Sequence, residues 1–156
     1  MSYPPVILID SGVLIAYYSA RDAYHQQACT FFEQCTSQLV TTLGCATEVM
    51  WLLSSDWRTQ NEFLSDLAKE LYALEPLSLI DFSRIAELNT RYADLPADFA
   101  DLSLVAISER LNIAVILTLN QVHVENCSFS PHPQPLSRRA RGAGKALKVP
   151  LLGERA

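Results

Sequence analysis

The feature that most constrains this chain is the run Val6-Ile7-Leu8-Ile9, which closes on Asp10. Four consecutive apolar residues leave no face for water, as in a strand buried on both sides of a parallel sheet. Such a strand needs helices above and below it, and the flanking sequence supplies them. SGVLIAYY reads as a short helix, and Tyr24 to Thr36 as a second. Leu39 to Thr42 reads as a strand, followed by a helix from about Cys45 to Ser54. A further helix is expected over Asn61 to Leu74, where Phe63, Leu64, Leu67, Leu71 and Leu74 recur at amphipathic spacing. Leu77 to Ile80 is expected to form another buried strand, with Asp81 capping the next helix. Pro96 breaks the chain; a helix then runs from near Asp98 to about Leu111, and Ala114 to Leu117 reads as the last strand. This alternation implies an α/β fold with a parallel sheet between helices. In such sheets ligands bind beyond the carboxyl ends of the strands, which singles out Asp10 and the residues just after Leu117.

A chain of 156 residues suits one domain. No apolar run approaches the roughly 18 residues of a membrane span, and the N-terminus lacks the basic region of a cleaved signal. Cys29, Cys35, Cys45 and Cys127 form no metal-binding pattern, so reduced thiols and a cytoplasmic location are expected. Net charge is divided unevenly. Residues 1–131 carry six Lys/Arg against sixteen Asp/Glu, a net −10, whereas residues 132–156 carry six against one, a net +5. An acidic body argues against a broad basic surface for nucleic acid. It is compatible with an acidic cleft neutralised by a metal ion. The basic, Pro- and Gly-rich stretch after residue 125 has little apolar surface to offset ordering, so residues 1–125 are expected to fold and residues 126–156 to be a disordered tail.

Four acids are candidates for chemistry. Asp10, taken alone, is explained as a helix N-cap. Glu48 lies in LGCATEVMWLL and, taken alone, is explained by the solvent face of its helix. Asp98 and Asp101 share one side of a helix start, where the helix dipole already favours acids. Jointly these explanations are poorer, because the topology can bring all four to one edge of the sheet. Such oxygen donors suit Mg²⁺ or Mn²⁺.

The stretches VILIDSGVLIAYYSARDAYHQQACTFFE, LVTTLGCATEVMWLL and RYADLPADFADLSLVAISERLNIAVILTLN resemble PIN-domain proteins, especially VapC-type toxins of toxin–antitoxin pairs. The similarity runs in order from about Val6 to Asn120, and YADLPADFADLSLVA is its most specific piece. It implies a PIN-like three-layer α/β/α sandwich and a metal-dependent endoribonuclease that hydrolyses RNA. The acidic positions of the family fall on Asp10, Glu48 and Asp101, with Asp98 assisting. Asp10 and Asp101 would bind Mg²⁺ or Mn²⁺ directly, and Glu48 directly or through water. The family's Thr-x-Asp pattern falls on Thr118-Leu119-Asn120, so asparagine keeps an oxygen donor but loses the charge. Implied partners are RNA, a cognate antitoxin protein and a second copy of the chain. SPHPQPLSRRARGAGK instead resembles translated bacterial intergenic repeat DNA, an altered gene end.

Three other readings compete with an active nuclease. A catalytically impaired relative would act only by binding antitoxin or RNA, and Asn120 is its support. A phosphorylated receiver domain usually has a second acid after strand one and a lysine after the last strand. Here Ser11 follows Asp10, and no lysine lies between Lys69 and Lys145. A dehalogenase-like phosphatase would want Asp-x-Asp where this chain has Asp10-Ser11-Gly12.

Overall fold

The central strand β1, Val6–Ile9, alternates strictly between two hydrophobic layers. Ile7 and Ile9 enter one buried cluster with Val13, Leu14, Phe31, Val49 and Phe63. Leu8 enters the other, with Val40, Leu104 and Ile107. A strand whose successive side chains point to opposite faces can be apolar throughout only if both faces are covered. In the computed structural model, which describes residues 3–95 and 97–119, they are.

The elements in chain order are β1, α1 (Ser11–Tyr18), α2 (His25–Gln34), β2 (Gln38–Thr42), α3 (Leu43–Leu52), α4 (Trp57–Ala68), β3 (Ala73–Glu75), α5 (Leu79–Arg91), α6 (Phe99–Leu111) and β4 (Ile116–Leu117). All four strands pair in parallel, in the order β3-β2-β1-β4. The expected three-layer α/β/α arrangement with a short parallel sheet is therefore present. The sheet grows outward from β1 on one side through β2 and β3, and β4 then adds on the other side. The switch falls between β1 and β4, and a crevice opens at the carboxyl ends of strands at such a point. Asp10 directly follows β1, and Thr118 directly follows β4.

Two expected elements differ. The helix expected over Asn61 to Leu74 starts four residues earlier at Trp57, because Asp56 caps it by accepting from the Arg58 amide at 3.0 Å. It stops at Ala68, because Glu70 takes a left-handed conformation (φ 59°) and the Leu71 amide closes back on the Asp66 carbonyl. That geometry satisfies the last carbonyls of the helix and turns the chain. The strand expected at Leu77 to Ile80 lies instead at Ala73–Glu75. Ser78 is the N-cap of α5, and Leu79 and Ile80 stand 87% and 76% exposed on its first turn. Asp81 is thus not the cap but the third helical residue, and it completes a capping box with Ser78.

Among the described residues no helix is long and apolar enough to cross a membrane. Cys29, Cys35 and Cys45 are free thiols. Asn120, Cys127 and the proposed tail lie outside the described residues, as does Pro96.

Candidate metal centre

The backbone fixes Asp10 before its side chain does anything. Its amide donates to the Leu117 carbonyl at 3.0 Å, which extends the β1–β4 pairing by one residue. On the other side, the Thr41 hydroxyl donates to the Ile9 carbonyl at 3.1 Å. Asp10 occupies the N-cap position of α1, yet its carboxylate makes no capping bond to the helix. The capping explanation accounts for its place in the chain and not for its side chain. That carboxylate, 4% exposed, instead accepts from Thr118 at 2.9 Å and lies 3.2 Å from the Ser11 hydroxyl, whose single proton it shares with a second acceptor. Burial raises its pKa, the Thr118 and Ser11 hydrogen bonds oppose the rise, and the charge of Asp98 adds to it. A Cβ at position 12 would stand 3.7 Å from Asp10 Oδ2, so Gly12 leaves that flank of the carboxylate open.

Glu48 reaches the same place from α3. The Ser11 hydroxyl donates to Glu48 Oε2 at 2.6 Å, so one side chain lies between two carboxylates from residues 38 positions apart. The solvent-face explanation of Glu48 therefore fails: the residue is half-buried and held by a group beside Asp10. Its helix is set by Thr42, whose Oγ1 accepts from the Cys45 amide at 3.2 Å and meets the Ser103 hydroxyl of α6 at 2.7 Å. Ser103 in turn donates to the Ala100 carbonyl at 2.7 Å. Both hydroxyls are fully buried, so each such bond also removes the cost of a stranded polar group, about 1–3 kcal/mol. One turn before Glu48, Gly44 lets α3 approach α6 closely; a Cβ there would meet the Phe99 ring at 3.2 Å and the Ala100 backbone at 3.4 Å.

Asp98 and Asp101 open α6 at this contact. Asp98 is exposed and caps the helix, accepting from the Asp101 amide at 2.9 Å, while Asp101 returns the bond to the Asp98 amide at 3.3 Å. The ordinary explanation is thus sufficient for Asp98 as a structural residue, and its charge still acts on the group. Asp101 is different. Burial, then the neighbouring charges of Asp10 and Asp98, push its carboxyl up to about 6, with the Asp98 amide opposing and Glu48 adding a smaller push. Four acids from three distant segments feel one another across the carboxyl edge of β1 and β4.

The donor set is all oxygen, which suits a hard divalent cation, and its mutual repulsion is what a cation would relieve. As placed, no group of three or more His, Cys, Asp or Glu side chains among the described residues is drawn together tightly enough to hold a metal. The chemistry of the donors fits a hard cation. Sequence reasoning missed Ser11 as the link between Asp10 and Glu48. The available signal was a hydroxyl directly after an acid at a strand end. Asn120 lies outside the described residues.

Known proteins resemble this chain in sequence and in fold. Ribonuclease VapC26 of Mycobacterium tuberculosis is 24% identical over 119 residues, spanning 75% of this chain and 88% of its own. Similar solved structures include VapC20 of Mycobacterium tuberculosis, described as a sarcin-ricin-loop-cleaving toxin. It has a TM-score of 0.68 at 17% identity, over 73% of this chain and 89% of that one. A toxin–antitoxin complex from Klebsiella pneumoniae gives 0.56 at 19% identity, over 74% and 87%. VapBC2 from Rickettsia felis, bound to a DNA fragment from their promoter, gives 0.53 at 14% identity, over 74% and 88%. At these identities the structures speak for the fold. The PIN domain family model matches residues 7–126, about three quarters of the sequence. The chain belongs to the PIN-domain family.

Proposed function

We propose that this protein is an endoribonuclease of VapC toxin type, hydrolysing RNA phosphodiester bonds with Mg²⁺ or Mn²⁺ held by Asp10, Asp101 and Glu48. The observation that carries this reading is the convergence just described: Ser11 between Asp10 and Glu48, with Asp101 pushed up to about 6 by burial first and then by the charges of Asp10 and Asp98. Structural carboxylates are normally paired with cations. Among the described residues the ion pairs join Arg84 to Glu87 and Glu109 and Arg110 to Asp81 and Glu75, and none of them includes Asp10, Glu48, Asp98 or Asp101. Crowded acids without such pairing are costly unless a cation enters.

A bound divalent cation supplies Lewis acidity toward a phosphate oxygen and lowers the pKa of a nearby water. The protein's own part is positional. Thr118 holds Asp10 by Oδ2, the Ser11 hydroxyl lies between Asp10 and Glu48, and the Asp98 cap fixes the first turn of the helix that carries Asp101. Unpaired or looped RNA is the substrate class, because its backbone can bend into a cleft. A cognate antitoxin and a second copy of the chain are the protein partners, in keeping with the toxin–antitoxin complexes among the fold's relatives. We place the protein in the cytoplasm, the domain at residues 1–125 and a separate tail at 126–156.

The test is cleavage of a mixed RNA pool with and without Mn²⁺, comparing wild type with Asp10→Asn and Asp101→Asn. Metal-dependent cleavage lost in both variants is expected. Cleavage unchanged in either variant, or insensitive to a chelator, overturns the assignment. The impaired-relative reading rests on Asn120, and Asn120→Asp separates it. A gain in cleavage, largest at low Mn²⁺, means that the missing charge limits this protein.

A further inference from the structure

We propose that Ser11 is a positioning residue for the acidic cluster: its hydroxyl gives its one proton to Glu48 and keeps that carboxylate beside Asp10. This inference rests on the reading of these acids as a metal centre and deepens it, because it states what brings Glu48 within reach of an ion.

The proton count decides which acid Ser11 serves. A serine hydroxyl has one proton, and two carboxylate oxygens stand near it, Glu48 Oε2 at 2.6 Å and Asp10 Oδ1 at 3.2 Å. The shorter distance is that of a strong bond from a hydroxyl to an ionised oxygen, and the longer one exceeds the usual range. The proton therefore lies on the line to Glu48. Asp10 has a donor of its own in Thr118, which meets its other oxygen, Oδ2, at 2.9 Å. Two hydroxyls thus divide the acids between them.

Ser11 can do this because of its place in the chain. Thr30, Thr47, Ser83 and Thr90 lie further inside their helices, and each donates to the carbonyl four residues earlier. Ser11 is the first residue of α1, so no carbonyl of that helix lies a turn before it. Only 5% of the residue is exposed, so its hydroxyl must find an acceptor inside the protein. Glu48, for its part, needs a hold. It is a long, half-buried side chain, and among the described residues no ion pair includes it. It also faces like charges: beyond burial, Asp10, Asp98 and Glu48 all push the Asp101 carboxyl upward. Such repulsion turns an unrestrained glutamate toward solvent. A carboxylate already held in place loses less freedom when an ion arrives, and the difference appears as affinity.

The experiment uses the full chain and Mn²⁺ alone, with unbound Mn²⁺ read by electron paramagnetic resonance. Ser11→Ala should weaken Mn²⁺ binding about tenfold to a hundredfold, the usual effect of removing a group that holds a metal ligand. In a Glu48→Ala background the same substitution should change Mn²⁺ binding little, because the side chain it acts through is gone. Unchanged affinity in Ser11→Ala overturns the proposal. So does an equal further loss in the Glu48→Ala background, which is what a serine acting on Asp10 or on the fold alone would give. A crystal structure of metal-free Ser11→Ala should show Glu48 turned away from Asp10 toward solvent, and an unmoved Glu48 overturns the proposal as well. A wild type that binds no Mn²⁺ is a separate result: it removes the metal reading, while the crystal structure still judges whether Ser11 holds Glu48.

Discussion

At the scale of single residues, the site is a balance between burial and hydrogen bonds on a few oxygens. Asp101 shows how that balance reaches stability. Its carboxyl is pushed up to about 6 in the fold from an ordinary 3.8, so between those values the folded protein binds more protons than the unfolded chain. Stability must then fall as pH rises through that window. Without metal, the melting temperature of the wild type should decline from pH 4 to pH 6.5 more steeply than that of Asp101→Asn, which has no proton to lose. Equal slopes in thermal melts at several pH values would mean that burial and the charges of Asp10 and Asp98 do not raise the Asp101 carboxyl as placed. The same residues mark what sequence could tell. Asp10 was legible because the residue that follows a buried parallel strand lies at the carboxyl edge of the sheet, where such sheets bind ligands. Glu48 was misleading in isolation, since nothing in LGCATEVMWLL reveals that Ser11 lies opposite it. Asp98 bears out its ordinary explanation as a cap and lies in the acidic group as well.

At the scale of elements, caps decided boundaries that hydrophobic spacing could not. Leu77, Leu79 and Ile80 look like a buried strand because they are apolar, but Ser78 and Asp81 close a reciprocal box that starts a helix among them. The Ser78 amide and hydroxyl donate to Asp81 at 2.7 and 2.9 Å, and Arg110 donates to the same carboxylate at 3.0 Å. Asp81 is 2% exposed, so these partners also keep a buried carboxylate satisfied. Ser78→Ala should therefore cost about 1 kcal/mol or more of stability. Urea titration should show a lower midpoint at unchanged slope, the mark of lost stability without a changed unfolded state. An unaltered midpoint would mean that Asp81 and Arg110 hold the helix start unaided. The end of α4 was hidden for a different reason. Glu70 adopts the left-handed conformation that glycine usually supplies, and no glycine marks the spot. Leu71 and Leu74, which continued the amphipathic spacing, therefore fall beyond the helix, half-exposed.

At the scale of the whole molecule, the strand order does the gathering. Because β4 returns to the far side of β1, the two strand ends at the switch point deliver Asp10 and Thr118 to one crevice, and helices packed across the sheet bring Glu48 and Asp101 to it. The price of that assembly is repulsion among the acids, and it makes a prediction with two opposite signs. A cation that binds only the folded state stabilises it by mass action, about 1.4 kcal/mol at ten times its dissociation constant. That amounts to several degrees in melting temperature for a domain of this size. Asp10→Asn removes one buried negative charge while leaving an oxygen to accept from Thr118 or Ser11. Without metal at neutral pH, the variant should melt no lower than wild type, because a desolvated charge has been deleted. With millimolar Mg²⁺ or Mn²⁺ the order should reverse, since wild type gains from the ion and the variant gains little. A simple loss of packing predicts a lower melting temperature in both conditions, and an ion acting elsewhere predicts equal shifts in both proteins. Either pattern would detach the acidic cluster from metal binding, whereas a crossover between the two proteins would tie the repulsion at the switch point to the ion that relieves it.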